Sequence, residues 1–500
     1  MHKVEQIKYF KADGYTYVFW SIVVFGTMLI GASFPMLLPS FDIWQHLGSI
    51  SDFINNPDTK TQKPYWYATW AFVFRTLNVN DIFTYVKYIH RTQFLLSCII
   101  IYYASRLIFS ALLPTVKFGN RNHWISSMAL SSMMVWLTII GTVSTFQQAW
   151  IMWYSVNYQI TLPMLFLAIA LLINGFTCAQ TAYKYIVKIF ASLLLLVLVY
   201  LFHAGELVYL VIYMPLFILA FLGKNNYKKA LILMLVVLVL IYFGIRMYGD
   251  RVPELVTLII NNNFSEINNR IAIHGKYNIE GGNRRLANWN ELYALCILSS
   301  LPLAWVGWCK INAVNKRVFF FIFSSLIFCF IPNFEFSSGL ASLIYGAPIV
   351  NRIYFASLVY LLPAIFAYLL VENIEKIRKP IFLLIIVALI MGGVLIYSRY
   401  FNDAGTYFRN VHSIRNSLHK ERIYINVTDV EIASIGEQIA YADKKYGVEN
   451  IMYCASYDKS HIIRYKYERK NINFDRSVVH AIEDCASSPL SKGKIIVYIR

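Results

Sequence analysis

Charge is what this sequence has least of. Asp, Glu, Lys and Arg make up 14% of its 500 residues, where soluble domains carry roughly 25%. That scarcity excludes an ordinary soluble protein. The 58% hydrophobic and 16% aromatic content and a mean hydropathy of +0.52 imply a helical protein that crosses a membrane many times. A secretory signal peptide is also missing: residues 1–15 are too polar and the apolar run behind them is too long, so that run reads as a retained anchor. No internal repeat and no pairs of charge-bearing spans of the proton-relay kind occur, which argues against a transporter. The net charge of +18 does not indicate a nucleic-acid binder, because the basic residues punctuate apolar runs instead of gathering on one soluble face. Cysteines are few, seven in all. Cys98, Cys178, Cys296, Cys309 and Cys329 lie in or near apolar runs, where packing is their ordinary role. Cys454 and Cys485 fall in a polar C-terminal region, where pairing requires an oxidising compartment.

What is present is a regular alternation of apolar runs and basic loops. Spans are expected at 16–38, 93–113, 124–143, 160–176, 186–202 and 207–222. Five more follow at 230–246, 290–308, 318–333, 353–371 and 380–398. Lys3, Lys8 and Lys11 hold the N-terminus inside, and every expected inner loop carries at least two Lys or Arg. The fold expected is thus an all-α polytopic membrane protein of about eleven transmembrane helices with its C-terminus outside. Its transmembrane domain covers 1–398, with long external loops at 39–91 and 247–288. In the first loop, Trp44–Ile54 and Tyr65–Leu77 have helical periodicity and aromatic faces, the pattern of interfacial helices. The third span-to-span link on that side, His203-Ala204-Gly205-Glu206, is very short, and a Gly/Ser-containing loop ending in Asn351-Arg352 follows span 9. Residues 399–500 alternate strand-like and helix-like pieces, as in a small extracytoplasmic α/β domain. That region holds no phosphate loop, dinucleotide fingerprint or metal-ligand spacing.

The residues able to carry chemistry gather on the outer side. Asp42 follows the first span, and His46 lies four residues on, on the same face of a helix. A carboxylate there can accept a proton from a hydroxyl, hold a metal, or cap the helix that follows. Glu206 opens an apolar run beside His203; it is either desolvated and tuned as an acid or base, or a water-exposed turn residue. Arg284 and Arg285 in the second long loop, and Arg352 at the entry to span 10, have the guanidinium geometry that matches phosphate oxygens.

In this order the parts resemble the GT-C superfamily of membrane glycosyltransferases. The resemblance lies in an acidic residue after span 1 (Asp42) and a first external loop running from Pro64-Tyr65-Trp66-Tyr67 through Arg75-Thr76-Leu77-Asn78 to a basic approach, Lys87 and Arg91. Glu206 after span 5, and Asn351-Arg352-Ile353-Tyr354-Phe355 before the penultimate span, are similar to the serotype-converting O-antigen glucosyltransferases within that superfamily. The resemblance covers roughly residues 1–400 as architecture. It implies an inverting sugar transfer from a polyprenyl-phosphate donor to a lipid-linked glycan acceptor, with Asp42 as base and Glu206 assisting. His46, His203, Arg284, Arg285 and Arg352 would bind substrate. It implies a bacterial inner-membrane location with the C-terminal domain in the periplasm. A small flippase and a donor-synthesising membrane enzyme are implied as partners. No tandem acidic pair follows span 1, so no metal or other cofactor is expected. Two other readings remain: an O-antigen polymerase or ligase, and a lipid or polysaccharide transporter.

Overall fold

A computed structural model describes residues 21, 46–47, 49–51, 53–54, 64–79, 82–112, 157–178, 181–221, 235, 254–280, 324, 334–345, 429–455, 459–460, 463, 467, 485 and 492–499. Among them helix predominates. The first half of the chain supplies α1 (Pro64–Thr76), α2 (Ile82–Leu112), α3 (Tyr158–Cys178), α4 (Ala182–His203), a 3-10 turn (Ala204–Tyr209) and α5 (Leu210–Phe221). The second half supplies α6 (Glu254–Ile260), α7 (Phe264–Glu280), α8 (Glu335–Tyr345), α9 (Asp429–Tyr446), β1 (Ile451–Ala455) and β2 (Ile495–Ile499). The chain divides into two compact units. One is Met1–Gly26 with Phe94–Met152 and Tyr158–Gly405, and the other is Thr27–Gln93 with Trp153–Asn157 and Thr406–Arg500.

In the first unit, α3 and α4 contain the two described helices long and apolar enough to cross a membrane, Gln159–Thr177 and Ala182–His203. They coincide with the expected spans 4 and 5. Along α4, Ile186, Phe190, Leu193 and Val197 recur at helical spacing and are all exposed. An uncovered apolar stripe of that length is a liability in water and at rest against lipid.

Polar side chains set the register of these helices. Pro163 lies inside α3 and has no N–H, so the carbonyl four residues back, on Gln159, has no helical donor. Ser97 Oγ of α2 donates to it instead. One turn from the other end, Asn174 Nδ2 donates to the Leu107 carbonyl at 2.9 Å, while its Oδ1 accepts from Lys188 Nζ of α4. A single amide therefore ties three helices. Ser192 Oγ adds a bond to the Ala168 carbonyl, 2.9 Å.

Partners on α2 and α3 rise together, 97 with 159 and 107 with 174, so these helices run parallel. Partners on α3 and α4 run in opposite order, 168 with 192 and 174 with 188, so that pair is antiparallel. These are the relative directions expected of spans 2, 4 and 5. Ser97, Ala104 and Ala111 of α2 are fully buried at seven-residue intervals, a stripe of small residues such as lets helices pack.

Three local expectations are corrected. Helix α2 starts at Ile82, eleven residues ahead of the expected span, because no Gly or Pro interrupts 82–92. Span 6 opens as a 3-10 turn and becomes α-helical only at Leu210. The Gly/Ser stretch after span 9 is a helix, α8, and not a loop. Its Gly339 is where α8 meets α7: a Cβ there would lie 1.9 Å from the Ile271 carbonyl oxygen, and one on Gly275 would lie 2.2 Å from that of Glu335. Those glycines are contact points between backbones, so their spacing carries a loop-like composition without a loop.

In the second unit, α9 packs its Ile432, Ile435, Ile439 and Ala442 face inward. Strands β1 and β2 pair in parallel, Ile451 opposite Ile495 through Ala455 opposite Ile499. Tyr453 Oη donates to Asp443 Oδ1 at 2.7 Å and to the Ile439 carbonyl at 3.3 Å, fastening α9 to one sheet face. Tyr467 Oη donates to the Ile432 carbonyl at 2.8 Å, passing over Gly436, where a Cβ would come within 2.6 Å of that oxygen. Burial raises the Tyr467 pKa, which keeps the hydroxyl a donor. Cys454 and Cys485 form a disulfide. The alternation of helix-like and strand-like pieces expected over 399–500 is thus present in α9, β1 and β2 among the described residues.

Candidate functional site

Two constellations hold the described candidates, one in each unit. The first surrounds His46. Residues 46–54, so far as described, are helical, and Leu47, Ile50 and Phe53 turn one face inward. Against this face lies α1, which begins on Pro64, a residue whose fixed φ suits the first helical position. It ends in a Schellman turn: Val79 N–H reaches the Phe74 carbonyl at 2.9 Å while Asn78 takes φ 53°, a conformation Asn tolerates better than most side chains.

Four side chains of α1 hold the assembly. Tyr67 Oη lies 2.7 Å from His46 Nδ1, in a buried hydrogen bond. Trp66 Nε1 donates to Gln93 Oε1 at 2.9 Å, and Trp70 Nε1 reaches the same oxygen at 3.4 Å. Arg75 Nη2 donates to the Ile54 carbonyl at 2.8 Å and, more weakly, to that of Phe53 at 3.4 Å. A guanidinium on backbone carbonyls makes charge-assisted hydrogen bonds, stronger than neutral ones. Beneath them Phe74 stacks on Tyr85, ring centroids 4.1 Å apart.

His46 is 6% exposed, so its imidazole is part of this buried nest. Tyr67, Arg75 and Gln93 are the supporting residues that sequence reasoning did not single out. The available signal was Trp66 and Trp70 at i, i+4, which sends two indole N–H groups toward one face in need of an acceptor.

The second constellation is the turn between α4 and α5. His203 ends α4, and Glu206 lies in the 3-10 turn three residues on, where its Oε2 meets His203 Nδ1. Glu206 is 3% exposed. The water-exposed alternative for this turn is therefore excluded: a carboxylate so buried requires a partner, and the imidazole provides it. The turn packs against α3, in line with the antiparallel register, and the first turn of α3 buries Gln159 and Thr161. Polar groups at the ends of otherwise apolar helices make this end of the hairpin chemically distinct. A carboxylate hydrogen-bonded to imidazole can take up or release a proton at a hydroxyl brought beside it.

Asp42, Arg284, Arg285 and Arg352 lie outside the described residues. In the second long loop α7 carries an exposed ion pair, Arg270 Nε to Glu266 Oε1 at 2.8 Å. Among the described residues no group of three or more His, Cys, Asp or Glu is arranged to hold a metal ion. Compared with protein-family models and with curated proteins, the sequence matches none.

Proposed function

We propose that this chain is an integral-membrane glycosyltransferase. It moves a sugar, glucose or another hexose, from a polyprenyl-phosphate donor to a lipid-linked O-antigen or other surface glycan. The observation that carries the reading is the buried His203–Glu206 pair in the turn that closes an apolar helical hairpin. A desolvated, partnered carboxylate at the end of a span is costly and has few uses other than chemistry. The helical packing around Trp66, Phe74 and His46 supports the same reading, because helices are what the resemblance implies for the first external loop.

In this proposal Asp42 takes the proton from the acceptor hydroxyl as its oxygen attacks the anomeric carbon. The glycosyl–phosphate bond breaks on the opposite face, which inverts the configuration and releases polyprenyl phosphate. Arg352, with Arg284 or Arg285, neutralises the departing phosphate, whose charge grows toward the transition state. Glu206 orients the acceptor or assists the base, with His203 holding its carboxylate. The spans supply a groove for the polyprenyl tail. The protein would act in a bacterial inner membrane with its C-terminal unit in the periplasm, beside a small flippase and a donor-synthesising membrane enzyme, and with no cofactor of its own.

Transfer from a purified polyprenyl-phosphate sugar to acceptor lipid tests the reading. Asp42→Asn is expected to lose at least about a hundredfold in rate, the scale of general-base catalysis; full transfer by that variant removes Asp42 as the base. Product glycans should keep their length distribution, since a polymerase would instead lengthen chains.

A further inference from the structure

The two-stranded sheet of the C-terminal unit has a helix on one side only, among the described residues. Strand residues alternate between faces. Tyr453, tied to Ile439 and Asp443 of α9, marks one face, together with Ile451 and Ala455. Met452 and Cys454 therefore point the other way. There they form a buried cluster with Cys485, and Ile496 of β2, the register partner of Met452, packs against it. All five residues of β1 are buried, as a parallel strand requires of both its faces. On that second face the Cys454–Cys485 bond joins β1 to the connection, with both cysteines fully buried.

We infer that this chain is a substrate of a disulfide-donating thiol oxidase in the compartment outside the membrane, and that Cys454 and Cys485 are the modified pair. The pair lies 31 residues apart in sequence, on β1 and on the connection leading to β2. Its bond pins that connection to the sheet at the position where a larger domain would place a second helix layer. A staple across 31 residues favours the closed pair by limiting the unfolded chain. Reducing cytoplasm does not maintain bonds of this kind.

The chemistry is thiol–disulfide exchange: one cysteine thiolate attacks the oxidase disulfide, and the second cysteine resolves the mixed disulfide. The two cysteines lose two electrons and two protons, and the oxidase leaves as a dithiol. Because the product bond is fully buried, exchange precedes closure of the sheet over it. With the lysine-rich N-terminus inside, an oxidised C-terminal unit requires an odd number of spans. The inference is independent of the sugar-transfer reaction.

Full-length protein in native membranes tests it. After acid trapping and denaturation, maleimide-polyethylene glycol labelling with and without prior reduction counts thiols on a gel. Two extra adducts on reduction are expected for the wild type, and none for the Cys454→Ser, Cys485→Ser double variant. In cells lacking the thiol oxidase, the wild type should show both thiols without reduction. Equal labelling of the wild type before and after reduction overturns the bond; oxidation that persists without the oxidase overturns the partner. A Val430→Cys variant, at a position 78% exposed on α9, reads the compartment independently of the bond. Membrane-impermeant maleimide should reach it in intact spheroplasts, and labelling only after lysis overturns the placement outside.

Discussion

At the scale of single residues, the decisive features are polar atoms in apolar surroundings. Glu206 and His203 satisfy each other; a Glu206→Gln variant keeps the volume but not the charge. If the pair serves proton transfer, sugar transfer should fall roughly a hundredfold or more with little change in donor KM. A purely structural role would leave kcat near wild type. Asn174 is the opposite case, a residue with a structural task. Asn174→Leu removes the donor to the Leu107 carbonyl and the acceptor for Lys188 Nζ. A loss of about 1–3 kcal/mol is expected, measured as a lower thermal midpoint in detergent, with KM unchanged. On α7, which lies in none of the expected spans, the exposed Glu266 carboxyl is held below its ordinary 4.5 by the Asn269 amide first and then by Arg270. A lowered folded-state pKa stabilises above the unfolded value, and that contribution is lost as pH falls through the folded one. In Glu266→Gln, amide exchange in α7 should lose that part of its acid dependence.

At the scale of elements, the close pairing of α7 with α8 depends on what is missing from Gly275 and Gly339. Neither takes a Cβ without backbone movement, since each would meet a carbonyl oxygen well inside contact distance. Gly339→Ala should therefore separate the two helices, seen as faster amide exchange over 264–280 and 335–345. Unchanged exchange would show that the helices do not pack as described. The first-loop helices are held differently, by long side chains reaching across. Arg75→Gln removes the charged donor from the Phe53 and Ile54 carbonyls. Loosening of the contact between α1 and residues 53–54 is expected, at a cost of about 1 kcal/mol by the usual worth of a hydrogen bond.

At the scale of the whole molecule, the two units hold their elements together with different devices. In the first, buried polar bridges join α2, α3 and α4, while Ile186, Phe190, Leu193 and Val197 are left outward. In the second, α9 fastens to one sheet face and a disulfide spans 31 residues. A loop of that size should contribute about 3.5 kcal/mol through the unfolded state. Reduction or the double Cys→Ser variant should lower the unfolding midpoint of this unit and leave α3 and α4 as they were.

By itself the sequence determined what hydrophobic period controls: the apolar runs that became α3 and α4, the amphipathic α1, and the helix and both strands after residue 429. These depend on neighbours along the chain, so a local pattern suffices. Only the tertiary structure decided the rest. It joined Cys454 to Cys485, buried Glu206 with His203, committed His46 to Tyr67, and turned a Gly/Ser stretch into a helix packed on another. In each of these the deciding atom lies on a different element or across a turn, and composition does not record which carbonyl, ring or thiol will face it.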